Sequence, residues 1–151
     1  MTEHLLEVGN KVIATLCKSE ALSDLTARYL PTQLLVIKLD VTHRDDIRAA
    51  FDQAAATFGR IDVVLNNAGV NVTGEVKSTG QADARDVFDV NFWGAAHVSQ
   101  EAVRVFREVN RPIGGRLLQV SSRLGLVGRA ACGFYCALYV RCRMLVSVRS
   151  C

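Results

Sequence analysis

Short apolar blocks alternate along this chain with longer stretches of mixed polarity. KVIAT (11–15), QLLVIKLD (33–40), IDVVLN (61–66) and GRLLQVSS (115–122) are brief runs rich in valine, isoleucine and leucine, and they predict β-strands. Between them, 19–29, 43–58 and 81–109 predict helices. The second of these has the expected ends: Thr42 stands where a cap is needed, Asp45 and Asp46 fall in the electropositive first turn, and Gly59 follows the last turn. Strands that alternate with helices predict βαβ units and a parallel sheet. Uninterrupted runs such as VVL and LLQV suit strands covered by helices on both faces. Nothing repeats internally, and no linker divides the chain, so residues 1–137 read as one α/β unit. The remainder, 138–151, with the sequence LYVRCRMLVSVRSC, carries neither a helical nor an alternating pattern.

Composition narrows the class without changing this picture. Of the 151 residues, 50% are apolar and 22% charged, which fits one globular domain and argues against disorder. No stretch of eighteen uncharged apolar residues occurs, and MTEHLLEVGNK opens with acids where an export signal would carry bases; a cytoplasmic location is expected. Five cysteines with no export signal argue against a disulfide framework. The last four are separated by three, five and eight residues, not a zinc-binding spacing, so no metal is expected. The net charge of +3 conceals an asymmetry: residues 109–151 carry seven arginines and no acid. Those arginines lack interleaved aromatics and do not gather on one helical face, so neither a nucleic acid nor a membrane partner is expected.

Chemistry concentrates at the ends of the apolar blocks, where open parallel sheets bind ligands. The second block ends in Asp40-Val41, the third in Asn66-Asn67-Ala68-Gly69 and the fourth in Ser121-Ser122. A small, flexible pair at 68 and 69 lets a backbone approach a flat ligand, and a carboxylate at 40 can accept from an exocyclic amine. Each residue also has a plain structural alternative: a turn cap at Asp40, buried amides at Asn67 and Asn91, a strand-end hydroxyl at Ser122, an interior aromatic at Tyr135.

The series LDVT, NNAG, DVNFWG, QVSS and FYCA, in that order and with Ser122 and Tyr135 thirteen residues apart, resembles the short-chain dehydrogenase/reductase family over residues 1 to about 137. The resemblance implies a partial Rossmann-type doubly wound parallel sheet and NAD(P)(H)-dependent interconversion of an alcohol and a carbonyl in a small-molecule substrate. It implies that Asp40 and Val41 hold the adenine, and that Asn67, Ala68 and Gly69 line the adenosine ribose and steady the centre of the sheet. It further implies that Asn91 kinks its helix and anchors a proton-relay water, that Ser122 hydrogen-bonds the substrate oxygen, and that Tyr135 is the general acid or base. Phe92 and Trp93 beside Asn91 are expected to pack the helix.

Two departures qualify that implication. One helical turn past Tyr135, the family carries a lysine that stabilises the phenolate and holds the nicotinamide ribose; here the residue is Tyr139. A tyrosine hydroxyl with no such help is ionised in only about one molecule in a thousand at neutral pH. The family's opening strand and glycine-rich turn, which cradles pyrophosphate on a helix N-terminus, have no counterpart, since MTEHLLEVGNK resembles only the end of the following helix. Because that strand is the middle one in the doubly wound order, its absence is expected to leave two central strand edges open. After the first block, Leu16, Cys17 and Lys18 offer no acid and one base, so Lys18 points to NADP over NAD. The expectation is an oxidoreductase-type chain, truncated at its start and divergent after Ala137, largely inactive alone. The alternative is a non-catalytic interaction module that associates through its open strand edges.

Overall fold

A computed structural model describes residues 1–17 and 22–141. The chain runs α1 (Thr2–Glu7), β1 (Val12–Leu16), α2 (Ser23–Arg28), β2 (Leu34–Lys38), α3 (Arg44–Phe58), β3 (Val63–Asn66), α4 (Gln81–Phe88), α5 (Ala95–Arg104), β4 (Arg116–Gln119) and α6 (Gly133–Arg141). All four predicted strands form: β1 keeps the length of its apolar block but lies one residue later, and the other three are shorter than theirs. β1 pairs parallel with β2, Val12 opposite Leu34 and Leu16 opposite Lys38. β3 pairs parallel with β4, Val63 opposite Arg116 and Asn66 opposite Gln119. Among the described residues the two pairs share no ladder with each other, which is the partial doubly wound sheet with open central edges expected from the sequence.

Local polar chemistry sets where the strands stop. The ladder of β1 and β2 ends with Leu39 donating to the Leu16 carbonyl at 3.1 Å. Asp40 then bends the chain, because its Oδ1 accepts from both the Thr42 backbone N–H (2.9 Å) and the Thr42 hydroxyl (2.8 Å). Thr42 is therefore not the cap of α3; the residue before the helix is His43, and no side chain caps that end. The third strand starts at Val63 and not at Ile61 because Asn110 takes both backbone groups of Ile61. Ile61 donates to Asn110 Oδ1 at 3.0 Å, and Asn110 Nδ2 donates to the Ile61 carbonyl at 2.7 Å. At the far end of α3, Gly59 adopts φ +81°, a left-handed turn that costs glycine little.

The predicted helix over 81–109 is continuous but not uniform. α4 passes through a π-helical stretch, Asp89–Gly94, into α5, and α5 passes through a second, Val105–Val109. LYVR at 138–141, read from sequence as patternless, is the last part of α6.

One helical layer serves both strand pairs. α3 buries Ile47, Ala50, Phe51 and Ala54 at helical spacing, and α5 with its π extension buries Val98, Ala102, Val105 and Phe106. Against this cluster pack Ile37 and Ile13 of the first pair and Val64 and Leu117 of the second. On the opposite side the pairs differ. Leu6, Val12, Ala14 and Leu34 form a second small core under α1 and α2, whereas Val63, Leu65, Leu118 and Val120 stand exposed. No helix of the described residues is long and apolar enough to cross a membrane.

Candidate functional site

The expected site residues lie at the carboxyl ends of the strands, in two groups on either side of the open centre. On the β2 side, Asp40 is half exposed with its carboxylate fixed by Thr42, while His43 Nδ1 stands 3.7 Å from Oδ2. The backbone N–H of Thr42, and then its hydroxyl, hold the Asp40 carboxyl below the usual carboxylate range. The turn-capping role weighed for Asp40 is thus its observed contact. Val41 packs inward against the main core. A Cβ at Gly94 would lie 2.7 Å from Val41 Cγ2, so the bare glycine lets α5 press against the turn that carries Asp40. Cys17, at the end of β1, directs its thiol to the Leu39 carbonyl at 3.5 Å. Lys18, read as the NADP-selecting base, lies outside the described residues.

On the β3 side, Asn67, Ala68 and Gly69 are exposed in the loop leaving the strand. The Asn67 side chain makes no hydrogen bond among the described residues. The polar tie at the sheet comes instead from its neighbour Asn66, which is buried and donates to the Ala95 carbonyl at 3.1 Å and to Gln119 Oε1 at 2.9 Å. Sequence reading placed that role one residue late. The signal was present in the strict alternation of β3, which turns 64 and 66 inward together.

Asn91 sits inside the π-helical stretch and is 4% exposed. The helix is π-helical at this point, where a kink was expected from the sequence. Its amide clasps one residue of the loop after β3, accepting from the Val70 N–H at 2.8 Å and donating to the Val70 carbonyl at 2.7 Å. Asn91 therefore holds the loop that carries Asn67 to Gly69. Phe92 and Trp93 do not pack the helix: both are exposed, edge to face with each other, and Trp93 stacks on His97.

Ser122 follows β4 in extended conformation, and its Oγ accepts from the Leu124 N–H at 3.2 Å. Because the hydroxyl is the acceptor in that bond, its proton is left to donate elsewhere. Tyr135 stands near the start of α6, partly buried, with its ring 4.6 Å from that of Tyr139 at an interplanar angle of 45°. Tyr139 is wedged between two glycines. Its hydroxyl would lie 3.7 Å from a Cβ at Gly69, where Asn91 Oδ1 would lie at 3.4 Å, and its backbone carbonyl would meet a Cβ at Gly125 at 2.7 Å. The phenol at position 139 thus reaches the loop held by Asn91, and Gly125 lets α6 approach the loop after β4.

Strand-end residues of this kind on a partial doubly wound frame invite comparison with known proteins. The family model for short chain dehydrogenases matches residues 1–145. The chain belongs to the short-chain dehydrogenase family. It is 39% identical over 120 residues to an uncharacterized oxidoreductase of Schizosaccharomyces pombe, a match spanning 80% of this chain and 39% of that protein. It is 34% identical over 133 residues to oxidoreductase calM of Penicillium decumbens, spanning 84% and 42%. The crystal structure of a short-chain dehydrogenase from Streptomyces avermitilis superposes with a TM-score of 0.82 at 32% identity, over 92% of this chain and 50% of that one. The chain therefore spans half or less of the length of these relatives.

The family's NAD(P) can be tested against the side chains present. The adenosine end fits: a carboxylate pre-set as an acceptor at Asp40 and an exposed, small-residue backbone at Ala68 and Gly69 are what an adenine and its ribose require. The reactive end does not. Among the described residues no ion pair or cation–π contact reaches Tyr135, and the neighbouring turn presents a second phenol instead of an ammonium. No step through the nicotinamide follows from these residues.

Proposed function

We propose that this chain serves an NAD(P)(H)-dependent alcohol/carbonyl oxidoreductase, with NADP preferred over NAD, and that it contributes the adenosine-binding strand ends and the proton-handling phenol while turning over negligibly alone. In this reading Asp40 and Val41 meet the adenine, and Asn67, Ala68 and Gly69 meet its ribose. Ser122 donates its free proton to the substrate oxygen. Tyr135 exchanges a proton with that same oxygen, and Asn91 anchors the relay behind it. Family membership and the arrangement of these residues at the strand ends support the reading.

The observation that carries the prediction of negligible turnover is the ring contact between Tyr135 and Tyr139. A cation beside a phenol lowers its pKa by about one to three units, which is about 1.4 kcal/mol per unit. A neutral phenol at 139 supplies none of that. The test follows NADPH consumption by the purified chain with a panel of aldehydes and ketones, alongside Tyr139→Lys and the double variant that adds Tyr135→Phe. The parent should show no turnover above background, Tyr139→Lys should raise it, and the double variant should abolish the gain. Brisk turnover by the parent, or micromolar binding of NADPH in titration calorimetry with no change on Tyr139→Lys, would overturn the reading.

A further inference from the structure

Tyr139 touches both places that a dinucleotide would have to reach on the β3 side of the site. Its ring lies 4.6 Å from that of Tyr135, centre to centre. Its hydroxyl lies 3.7 Å from the point where a Cβ would stand on Gly69. One side chain therefore spans from the phenol that handles the proton to the loop that meets the ribose. A ligand laid from Gly69 to Tyr135 runs into that ring. This obstacle is one of volume, and it is separate from the charge that a neutral phenol withholds.

The ring is held at three points. At its root, the carbonyl oxygen and Cβ of Tyr139 would lie 2.7 and 2.9 Å from a Cβ on Gly125, so α6 is seated directly on the segment after β4 and cannot withdraw that way. At its tip, the loop does not recede freely, because the buried Asn91 accepts from the Val70 N–H at 2.8 Å and donates to the Val70 carbonyl at 2.7 Å. Along its flank it rests on Tyr135. Packed side chains move between staggered rotamers and do not yield gradually, so admitting a ligand means swinging the whole ring away from Tyr135 and Gly69. An arrangement that gives up such contacts is a minor one, populated to about 10% or less. Apparent affinity for any group that needs it falls by the same fraction, about tenfold or more. The adenosine end is spared that cost. Asp40 and Val41 follow β2, in the other strand pair, and Asn67, Ala68 and Gly69 stay exposed.

We propose that Tyr139 is a specificity-determining plug: its ring closes the way from Gly69 to Tyr135, so the site takes adenine nucleotides that carry no second nucleoside and gains nothing from the nicotinamide half of NADPH. This rests on the reading that Asp40, Val41 and the loop from Asn67 to Gly69 meet the adenosine. The test titrates the full chain with NADPH and, separately, with the free adenosine bisphosphate half of NADPH, each followed by ligand-observed NMR. In the parent the two ligands should bind about equally. Tyr139→Met removes the ring, keeps a long flexible side chain and adds no charge; NADPH should then bind about tenfold more tightly, while the bisphosphate is unaffected. Tyr139→Phe keeps the ring and loses the hydroxyl, and both affinities should match the parent. Parent binding of NADPH more than about tenfold tighter than the bisphosphate would overturn the proposal and leave the adenosine reading standing. So would an unchanged NADPH affinity in Tyr139→Met while the bisphosphate still binds, or an equal gain in Tyr139→Phe. The parent comparison decides by itself where Tyr139→Met does not fold, which circular dichroism would show. No binding of the bisphosphate to the parent would remove the adenosine reading and the plug with it.

Discussion

Asn110 is the residue whose loss should most damage this fold. Its side chain is fully buried and makes three hydrogen bonds to backbone: Ile61 N–H to Oδ1 at 3.0 Å, and Nδ2 to the carbonyls of Ile61 and Gly114, each at 2.7 Å. It sits just after the second π-helical stretch, so one amide ties the end of the helical layer to the starts of both β3 and β4. Asn110→Ala strands three backbone groups, the two of Ile61 buried and the Gly114 carbonyl partly buried. At about 1 to 3 kcal/mol for each unsatisfied group, and with water entering the small cavity to satisfy part of the loss, the cost is about 3 to 6 kcal/mol. Domains are stable by only about 5 to 15 kcal/mol, so much of the folded population should disappear.

Asn110→Asp separates the acceptor from the donors. The carboxylate still accepts from Ile61, but its second oxygen now faces two carbonyl oxygens in a buried site, so the folded state favours the protonated acid. The folded pKa is then raised above the unfolded value of about 4. The variant keeps most of its stability below that value and loses it progressively as pH rises through the raised folded pKa, the reverse of an ordinary surface carboxylate. Urea unfolding followed by circular dichroism at acidic and neutral pH reads both effects. A Asn110→Ala midpoint corresponding to a loss of less than about 1 kcal/mol, or an Asn110→Asp stability that rises with pH, would refute the reasoning.

Three further outcomes follow from contacts at the site. Asp40→Asn keeps an acceptor for Thr42 but loses the charge; because the carboxylate is half exposed, the destabilisation at neutral pH should stay below about 1 kcal/mol. The depressed folded pKa of Asp40 means that this difference is present above about pH 4 and vanishes as the parent carboxylate is protonated at lower pH, which paired urea titrations would reveal. Gly94→Ala drives a methyl into Val41 and should cost about 1 to 3 kcal/mol, with thermal melting as the check; a neutral result would mean that α5 can move away from the Asp40 turn. Asn91→Leu removes both bonds to Val70 and should speed amide exchange at Val70 by more than tenfold while β1 amides keep their parent rates.

The fold was legible where burial is carried by pattern. Periodicity placed four strands and the long helix because apolar residues at period two or 3.6 have only one way to share a core. The strand ends were less legible because side chains from distant segments set them: nothing near Ile61 announces that Asn110, forty-nine residues later, will take its backbone groups. The π-helical stretches escaped the pattern for a related reason. A π turn adds one residue without interrupting the apolar face, so Asp89–Gly94 reads as ordinary helix until the Asn91 clasp on Val70 is seen. Tyr139 was visible as a departure at a fixed position, yet its wedge between Gly69 and Gly125 depends on α6 converging with the segments after β3 and β4.

The open centre and the candidate site are one problem in physical terms. Asp40 rides on the β1–β2 pair, whereas Gly69, Ser122 and Tyr135 ride on or beside the β3–β4 pair. No hydrogen-bonded ladder fixes the distance between the pairs among the described residues; only the shared packing of α3 and α5 does. Packing of aliphatic side chains tolerates small sliding, while a ladder fixes register residue by residue. A ligand that must touch Asp40 and Gly69 together therefore has to hold the two pairs in one relative position, and the free energy spent doing so is lost from its affinity.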